Sequence, residues 1–445
     1  MDNRWRQRIH IEPETGWIND PNGLCRFRGN YHVFCQYSPD RADGSTPRRW
    51  GHFVSSDDMF SWDYTGDVLR PDIPEDKDGV FSGSAVVSGN LMHIFYTGNV
   101  ETPDRAAYQI HVTSADGHIM SSKKVILTPA DYPEFCSCEV RDPKVWIEEG
   151  IWKMVLGAKA NDGRGCVLLY EGSDPDSFRF VKSFDKPGHG YMWECPDMFS
   201  IGGHKYLGLS PQGIPSEEFR FQNVHNSGYF RMDGDCLQDF TEYDHGFDLY
   251  ATQTFTDGKG NRIIIGWMGA GDAPYTNATT DLGWQHCLTL PRILIPDKDG
   301  RLRQEPLIND RLCGSVYTVM RGNSLTASGA CDIRIPECGK ETRIHLGDAV
   351  ISYSDGILEM DLSCGDVGRG RGRRRIRTGD IRDIRIILDC SGIELYADEG
   401  RFVMSSRFYP ENAPEIRSDT DDLIITEIKD MEVRRHGRRR SGNDR

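Results

Sequence analysis

No stretch of the chain holds an apolar run of about 18 residues, so the sequence offers no candidate membrane-spanning helix. The opening residues, MDNRWRQRIHIEPETGW, lack the apolar core of a secretory signal, which sets a cytoplasmic expectation. Excess basic charge is also missing. With 53 Lys and Arg against 68 Asp and Glu, the net charge is −15, which speaks against a nucleic-acid surface or a polybasic membrane contact and leaves a small sugar-like partner. Sustained helical periodicity is scarce through the first 300 residues, where short alternating runs are broken by Gly, Asn and Asp. Cysteine is not scarce, at 13, but an odd number fits no closed disulfide set and reads as buried thiols. Cys136 and Cys138 have neither a second close pair nor a His-x-x-x-His to complete a zinc site. No metal and no cofactor is expected.

What is present is a repeat. A polar motif, a Gly turn and a strand rich in aromatic and branched residues recur from Asp20 (DPNGLCRFRGNYHVFCQY), Ser82 (SGSAVVSGNLMHIFYTGN), Asp142 (DPKVWIEEGIWKMVLGAK), Cys195 (CPDMFSIGGHKYLGLSPQG) and Thr252 (TQTFTDGKGNRIIIGWMG). A period of this length, holding about four strands, suits a β-propeller blade. The expectation is an all-β protein with a five-bladed β-propeller at 1–305, a C-terminal β-sandwich at 315–436 and a basic tail at 437–445. Two stacked sandwiches would leave the polar start of every unit unexplained. The run GRGRGRRRIR at 368–377 and the basic tail read as solvated turns rather than anion contacts.

The polar starts carry the chemistry. WINDPNG at 17–23 is dense in turn formers, so Asp20 is expected in a fixed turn before a strand. Arg-Asp-Pro at 141–143 supplies Asp142, and WECPD at 193–197 supplies Glu194. Placed at the mouth of one channel, with Trp17, Trp50, Trp193 and Trp284 as walls, three acids would supply the two carboxyl groups in different protonation states that cleaving a glycosidic bond needs at minimum.

The chain resembles glycoside hydrolase family 32, the invertases, sucrose-6-phosphate hydrolases and fructan exo-hydrolases. The likeness rests on WINDPNG, FCQYSP at 34–39, RRWGH at 48–52, FSGS at 81–84, YTGN at 96–99, RDP, WECPD, GFDLYATQTF at 246–255 and GWQHCLTLPR at 283–292, all in order. The resemblance implies a retaining β-fructofuranosidase, with Asp20 as nucleophile, Glu194 as general acid/base and Asp142 as the group that grips ring hydroxyls. It also implies fructose contacts from Asn19, Gln36, Trp50, Phe81, Ser82 and Arg141, with Tyr250 and Trp284 at the rim. A retaining pair of carboxyls is expected roughly 5 to 5.5 Å apart. Glu194 is expected to keep its proton near neutral pH while Arg141 keeps Asp142 ionised. Sucrose, sucrose 6-phosphate and fructan remain open as substrates, as does a homo-oligomer. An inverting arabinan- or xylan-type glycosidase and a non-catalytic sugar-binding protein are the rival readings.

Overall fold

The computed structural model describes residues 3–56, 59–101 and 105–435. Among these there are strands and four single-turn 3-10 helices, and no helix is long and apolar enough to cross a membrane. The tail at 437–445 lies outside the described residues.

Residues 16–306 form five consecutive antiparallel sheets. Each begins with an inner strand: β1 (Gly16–Phe27), β2 (Gly79–Ser88), β3 (Cys136–Glu148), β4 (Met192–Ile201) and β5 (Tyr250–Thr256). These inner strands pack on one another in cyclic order, and β5 returns onto β1 to close the ring. Each is the edge of its sheet over most of its length, so its outer row of N–H groups needs partners from elsewhere. Side chains of the adjoining sheet supply them. Asn22 accepts from Gly83 N at 3.0 Å, Ser84 from Val145 N at 3.0 Å, Asp142 from Cys195 N at 2.9 Å and Asp197 from Thr254 N at 2.5 Å. A polar residue at the start of a repeat or two residues into it therefore ties one sheet to the next at four of the five junctions. Between the sheets, buried apolar residues such as Leu156, Val167, Trp193 and Phe230 fill the space that the outer strands leave.

Residues 313–428 form two six-stranded sheets that share one core built from Ile344, Ile351, Leu358, Ile386, Leu395 and Met404. Both chain termini cross between the two parts. The segment around His10 lies against the C-terminal sheets, and the last strand, Glu432–Arg435, pairs in parallel with Ser61–Leu69 of the first sheet. This departs from the sequence expectation, which kept everything to residue 436 in the second domain. Four residues of a terminal strand carry too weak a pattern to reveal their partner.

The arginine run also departs from expectation. Its strand Arg373–Arg377 lies at the edge of one C-terminal sheet. Arg371 is wholly buried, with two parallel bonds of 2.8 and 2.9 Å to Asp248. Arg374 grips Asn223 Oδ1 at 2.9 and 2.7 Å and lies 4.0 Å over Phe247. Bidentate geometry and flat stacking suit guanidinium to such an interface, so these residues join the two parts of the molecule.

His10 completes the junction, bonded to Asp389 at 2.7 Å and Glu394 at 3.0 Å. Burial lowers the His10 pKa, but the two carboxylates outweigh it and raise it to about 9. Burial raises Glu394, yet Arg292 and His10 bring it down to about 2. The imidazolium therefore stabilises the fold fully below its unfolded value near 6.5, and that contribution disappears as pH rises through about 9. Replacing His10 by Asn is expected to cost about 3 kcal/mol at pH 6, because it strands buried carboxylates, and much less at pH 10. Thermal denaturation at the two pH values measures the difference.

Candidate active site

All five inner strands break register at the same height. The shifts fall at Ile18/Pro21 in β1, Val80/Gly83 in β2, Glu194/Asp197 in β4 and Tyr250/Gln253 in β5, and between Arg141 and Lys144 in β3. A β-bulge adds a residue and re-aims its side chain, and here it turns Asp20, Ser82, Asp142, Glu194 and Tyr250 towards one end of the channel. WINDPNG is thus a bulged strand rather than the turn its composition suggests. Pro21, Pro143 and Pro196 are tolerated because an inner edge has no ladder bond to lose at a bulge. Asp142, Cys195 and Ala251 take positive φ values of 64°, 48° and 50°, a strained conformation for residues with a side chain, costing about 1–3 kcal/mol each. At Gly157 the β4 backbone comes so near that an added Cβ would lie 2.1 Å from the Trp193 carbonyl oxygen. A side chain there would push Glu194 away from Arg141.

Every carboxyl is held from several sides. Asp20 Oδ2 accepts from Ser82 Oγ at 2.5 Å and Oδ1 from Asn19 Nδ2 at 3.1 Å. Gln36 links these donors, giving a bond of 2.6 Å to Ser82 and taking one of 2.8 Å from Asn19. Trp17 Nε1 donates to Asn19 at 3.0 Å. Cys195 Sγ lies 3.7 Å from both Asp20 and Asp142, so the two acids flank one sulfur atom. Glu194, the residue before Cys195, accepts from Arg141 Nε at 2.9 Å, Gln212 at 2.7 Å and Tyr250 at 2.6 Å. Glu139 holds the other side of the Arg141 guanidinium.

The charges differ from the sequence expectation. Burial pushes Asp142 up, and the neighbouring Glu194 charge adds to this, to about 7 in all. Burial also raises Asp20, against the opposing Ser82 bond. Burial raises Glu194 too, but Arg141, Tyr250 and Gln212 together leave it below its ordinary value. The cause is geometric, since the Arg141 guanidinium bonds directly to Glu194 rather than Asp142. The shared proton therefore favours Asp142 over Glu194.

A folded pKa near 7 for Asp142 has a stability consequence. The folded chain binds a proton that the unfolded chain releases near pH 3.8, so stability falls as pH rises through about 7. Asp142→Asn is expected to raise the melting temperature by several degrees at pH 8 and little at pH 4 while activity collapses. Paired thermal melts and assays test this.

The structure brings together Asn19, Asp20, Gln36, Ser82, Arg141, Asp142, Glu194 and Tyr250. It treats the aromatic residues differently. Trp50, Trp193 and Trp284 are buried, at 0–1% exposure. Trp50 Nε1 bonds to the Phe81 carbonyl at 3.0 Å, Trp193 packs on Phe230, and Arg6 stacks on Trp284 at 3.6 Å. Their rings serve packing, in contrast to the expected walls and rim, because a large apolar ring next to a bulge is drawn into the neighbouring core. Trp17 keeps part of its surface, beside His286 at 4.3 Å and Trp267 at 5.8 Å. Sequence reasoning missed Gln212, Glu139 and the role of Cys195. No such signal existed for Gln212, which ends its strand where the first repeat has Ser38, two residues beyond Gln36.

The model of the glycosyl hydrolases family 32 N-terminal domain matches residues 10–306, and that of the family 32 C terminal matches 365–429. The chain belongs to glycoside hydrolase family 32. Among family members, a sucrose-6-phosphate hydrolase of Bacillus subtilis (strain 168) is 36% identical, covering 91% of this chain and 89% of that protein. A raffinose invertase of Escherichia coli is 35% identical over 92% of this chain and 90% of its own length. The solved sucrose-6-phosphate hydrolase from Lactobacillus gasseri superposes with a TM-score of 0.87 at 27% identity, covering 96% of this chain and 94% of that one. The Bombyx mori GH32 beta-fructofuranosidase BmSUC1 gives 0.86 at 29%, covering 97% and 96%.

Proposed function

We propose that this family 32 enzyme is a retaining β-fructofuranosidase that releases terminal fructose from sucrose or sucrose 6-phosphate. The observation that carries the reading is the convergence of three acids from bulges on three inner strands, Asp20 and Asp142 meeting at the Cys195 sulfur and Glu194 held beside them by Arg141. The closed ring of five sheets supports a five-bladed propeller as the catalytic part, at 1–305. The paired C-terminal sheets support a β-sandwich from 315 onward, with terminal segments exchanged between the two.

In this reading the Asp20 carboxylate attacks C2 of the fructosyl ring as Glu194 gives its proton to the departing glycosidic oxygen. Water then attacks the fructosyl ester, losing its proton to Glu194, and Asp20 leaves as carboxylate. Ser82 and Asn19 fix the direction of attack. Asp142 accepts ring hydroxyls, which favours its ionised form. That negative charge raises Glu194 and moves the shared proton to it when the sugar binds. Asn19, Gln36, Ser82, Arg141 and Tyr250 surround the fructosyl group, while Trp50 and Phe81 brace that wall. Sugar phosphates do not cross membranes unaided, so the phosphorylated substrate carries a cytoplasmic location.

A panel of sucrose, sucrose 6-phosphate, raffinose and inulin tests the reading. Fructose release from either of the first two, faster than from inulin, is expected. Saturable sugar binding without hydrolysis of any of them would contradict it.

A further inference from the structure

The opposite end of the same channel is chemically distinct. A cavity of about 530 Å3 opens there, lined by the C-terminal portions of all five inner strands. Four cations border it, Arg26, Lys144, Lys205 and Arg262, against one carboxylate, Glu148. This is a local reversal of sign in a chain of net charge −15. Glu148 is already engaged by Lys153 at 2.6 Å.

Lys144 lies at the base of the cavity and is 9% exposed. Its ammonium gives one bond of 2.6 Å to the Thr254 carbonyl and one of 3.1 Å to Asp197 Oδ2. An ammonium has three donors, so one is left. Asp197 is the only carboxylate that serves this cluster among the described residues, and it accepts the Thr254 amide as well. Arg262 is stacked 5.2 Å over Phe199 and has no carboxylate within ion-pair distance among the described residues, which holds for Arg26 and Lys205 too. Burial first, and then the charge of Arg262, hold Lys144 below its ordinary value, and burial does the same to Arg262. Lys144, buried, and Lys205 and Arg262, partly buried, have only Asp197 within ion-pair distance among the described residues, and such a deficit is relieved by an anion.

We propose that this recess is a binding site for a small phosphate-bearing anion, inorganic phosphate or a sugar phosphate monoester. Two guanidinium and two ammonium groups around one cavity match a dianion with several acceptor oxygens, whereas a monovalent ion would leave most of the cluster uncompensated. Because the recess and the catalytic carboxyls occupy opposite ends of the inner strands, the anion binds without displacing fructose. The site stands independently of which fructoside is hydrolysed.

Calorimetric titration of the full-length protein with inorganic phosphate, and separately with glucose 6-phosphate, at fixed chloride concentration tests the proposal. Both titrations are repeated in saturating fructose. Saturable binding is expected, unaffected by fructose and weakened about tenfold or more in the double variant Arg26→Ala/Arg262→Gln. The single variant Arg26→Ala, at an exposed side chain, is expected to weaken binding without changing the melting temperature. It provides the test if the double variant does not fold. Tighter binding of the ester than of phosphate would identify the sugar phosphate as ligand, and the reverse would identify phosphate. Absence of saturable binding, binding unaltered in both variants, or displacement by fructose would each overturn the proposal.

Discussion

Asp20→Asn is expected to reduce turnover on the order of 10⁴- to 10⁶-fold, the scale seen when a nucleophile acting in a coupled set is removed. The loss should fall on kcat. Asn19, Gln36 and Ser82 hold one another through bonds of 2.8 and 2.6 Å that do not involve Asp20, so the pocket that receives fructose survives the substitution. Fructose affinity is therefore expected to change only a few-fold. Asp20 carries no apolar burden in the core, and its elevated pKa from burial shows that its ionised form is held at a cost. The variant should be at least as stable as the parent at neutral pH, so inactivity could not be attributed to unfolding. Steady-state kinetics with a thermal melt measures both.

Glu194→Gln is expected to slow sucrose hydrolysis roughly 10²- to 10⁴-fold, the usual worth of a positioned acid/base. The effect should depend on the leaving group. A fructoside whose leaving group departs without a proton should still fructosylate Asp20, giving a burst of released aglycone and then slow turnover as the intermediate waits for a base. The limb of the pH–rate profile that belongs to Glu194 should also disappear. Gln can still accept bonds from Tyr250 and Gln212 through its one oxygen, but its NH2 then faces the Arg141 guanidinium, so the leaving-group dependence rather than the size of the loss isolates the missing proton. Equal slowing for good and poor leaving groups would remove Glu194 from the role.

The repeat was legible because every sheet begins with the same need, an inner edge whose amides are satisfied by a polar side chain from its neighbour. Asn22, Ser84 and Asp197, each two residues into its repeat, and Asp142 at the start of its own answer that need in four successive sheets, so a polar start recurs in the sequence. The bulges were hidden, since Asp-Pro-Asn-Gly has the composition of a turn whether or not a strand runs through it. The proton's place was hidden for another reason. Arg141 and Asp142 are adjacent in sequence, yet the strand breaks register directly after Arg141, and the guanidinium reaches the acid of the next strand instead. The tryptophans misled because a large aromatic ring near a sugar site and one in a core look alike in one dimension. Arg371 was misread for the converse reason: a guanidinium paired with Asp248 across 123 residues is indistinguishable in sequence from one in water.

The claim that Asp20 forms a covalent fructosyl-enzyme is tested most directly by the stereochemistry of transfer to methanol. Methyl fructofuranoside keeps its anomeric configuration after release, unlike free fructose, so the product can be read by NMR without a race against mutarotation. Two successive displacements at C2, by Asp20 and then by methanol, predict methyl β-D-fructofuranoside as the first and dominant transfer product from sucrose. Methyl α-D-fructofuranoside would mean a single displacement and would contradict the account.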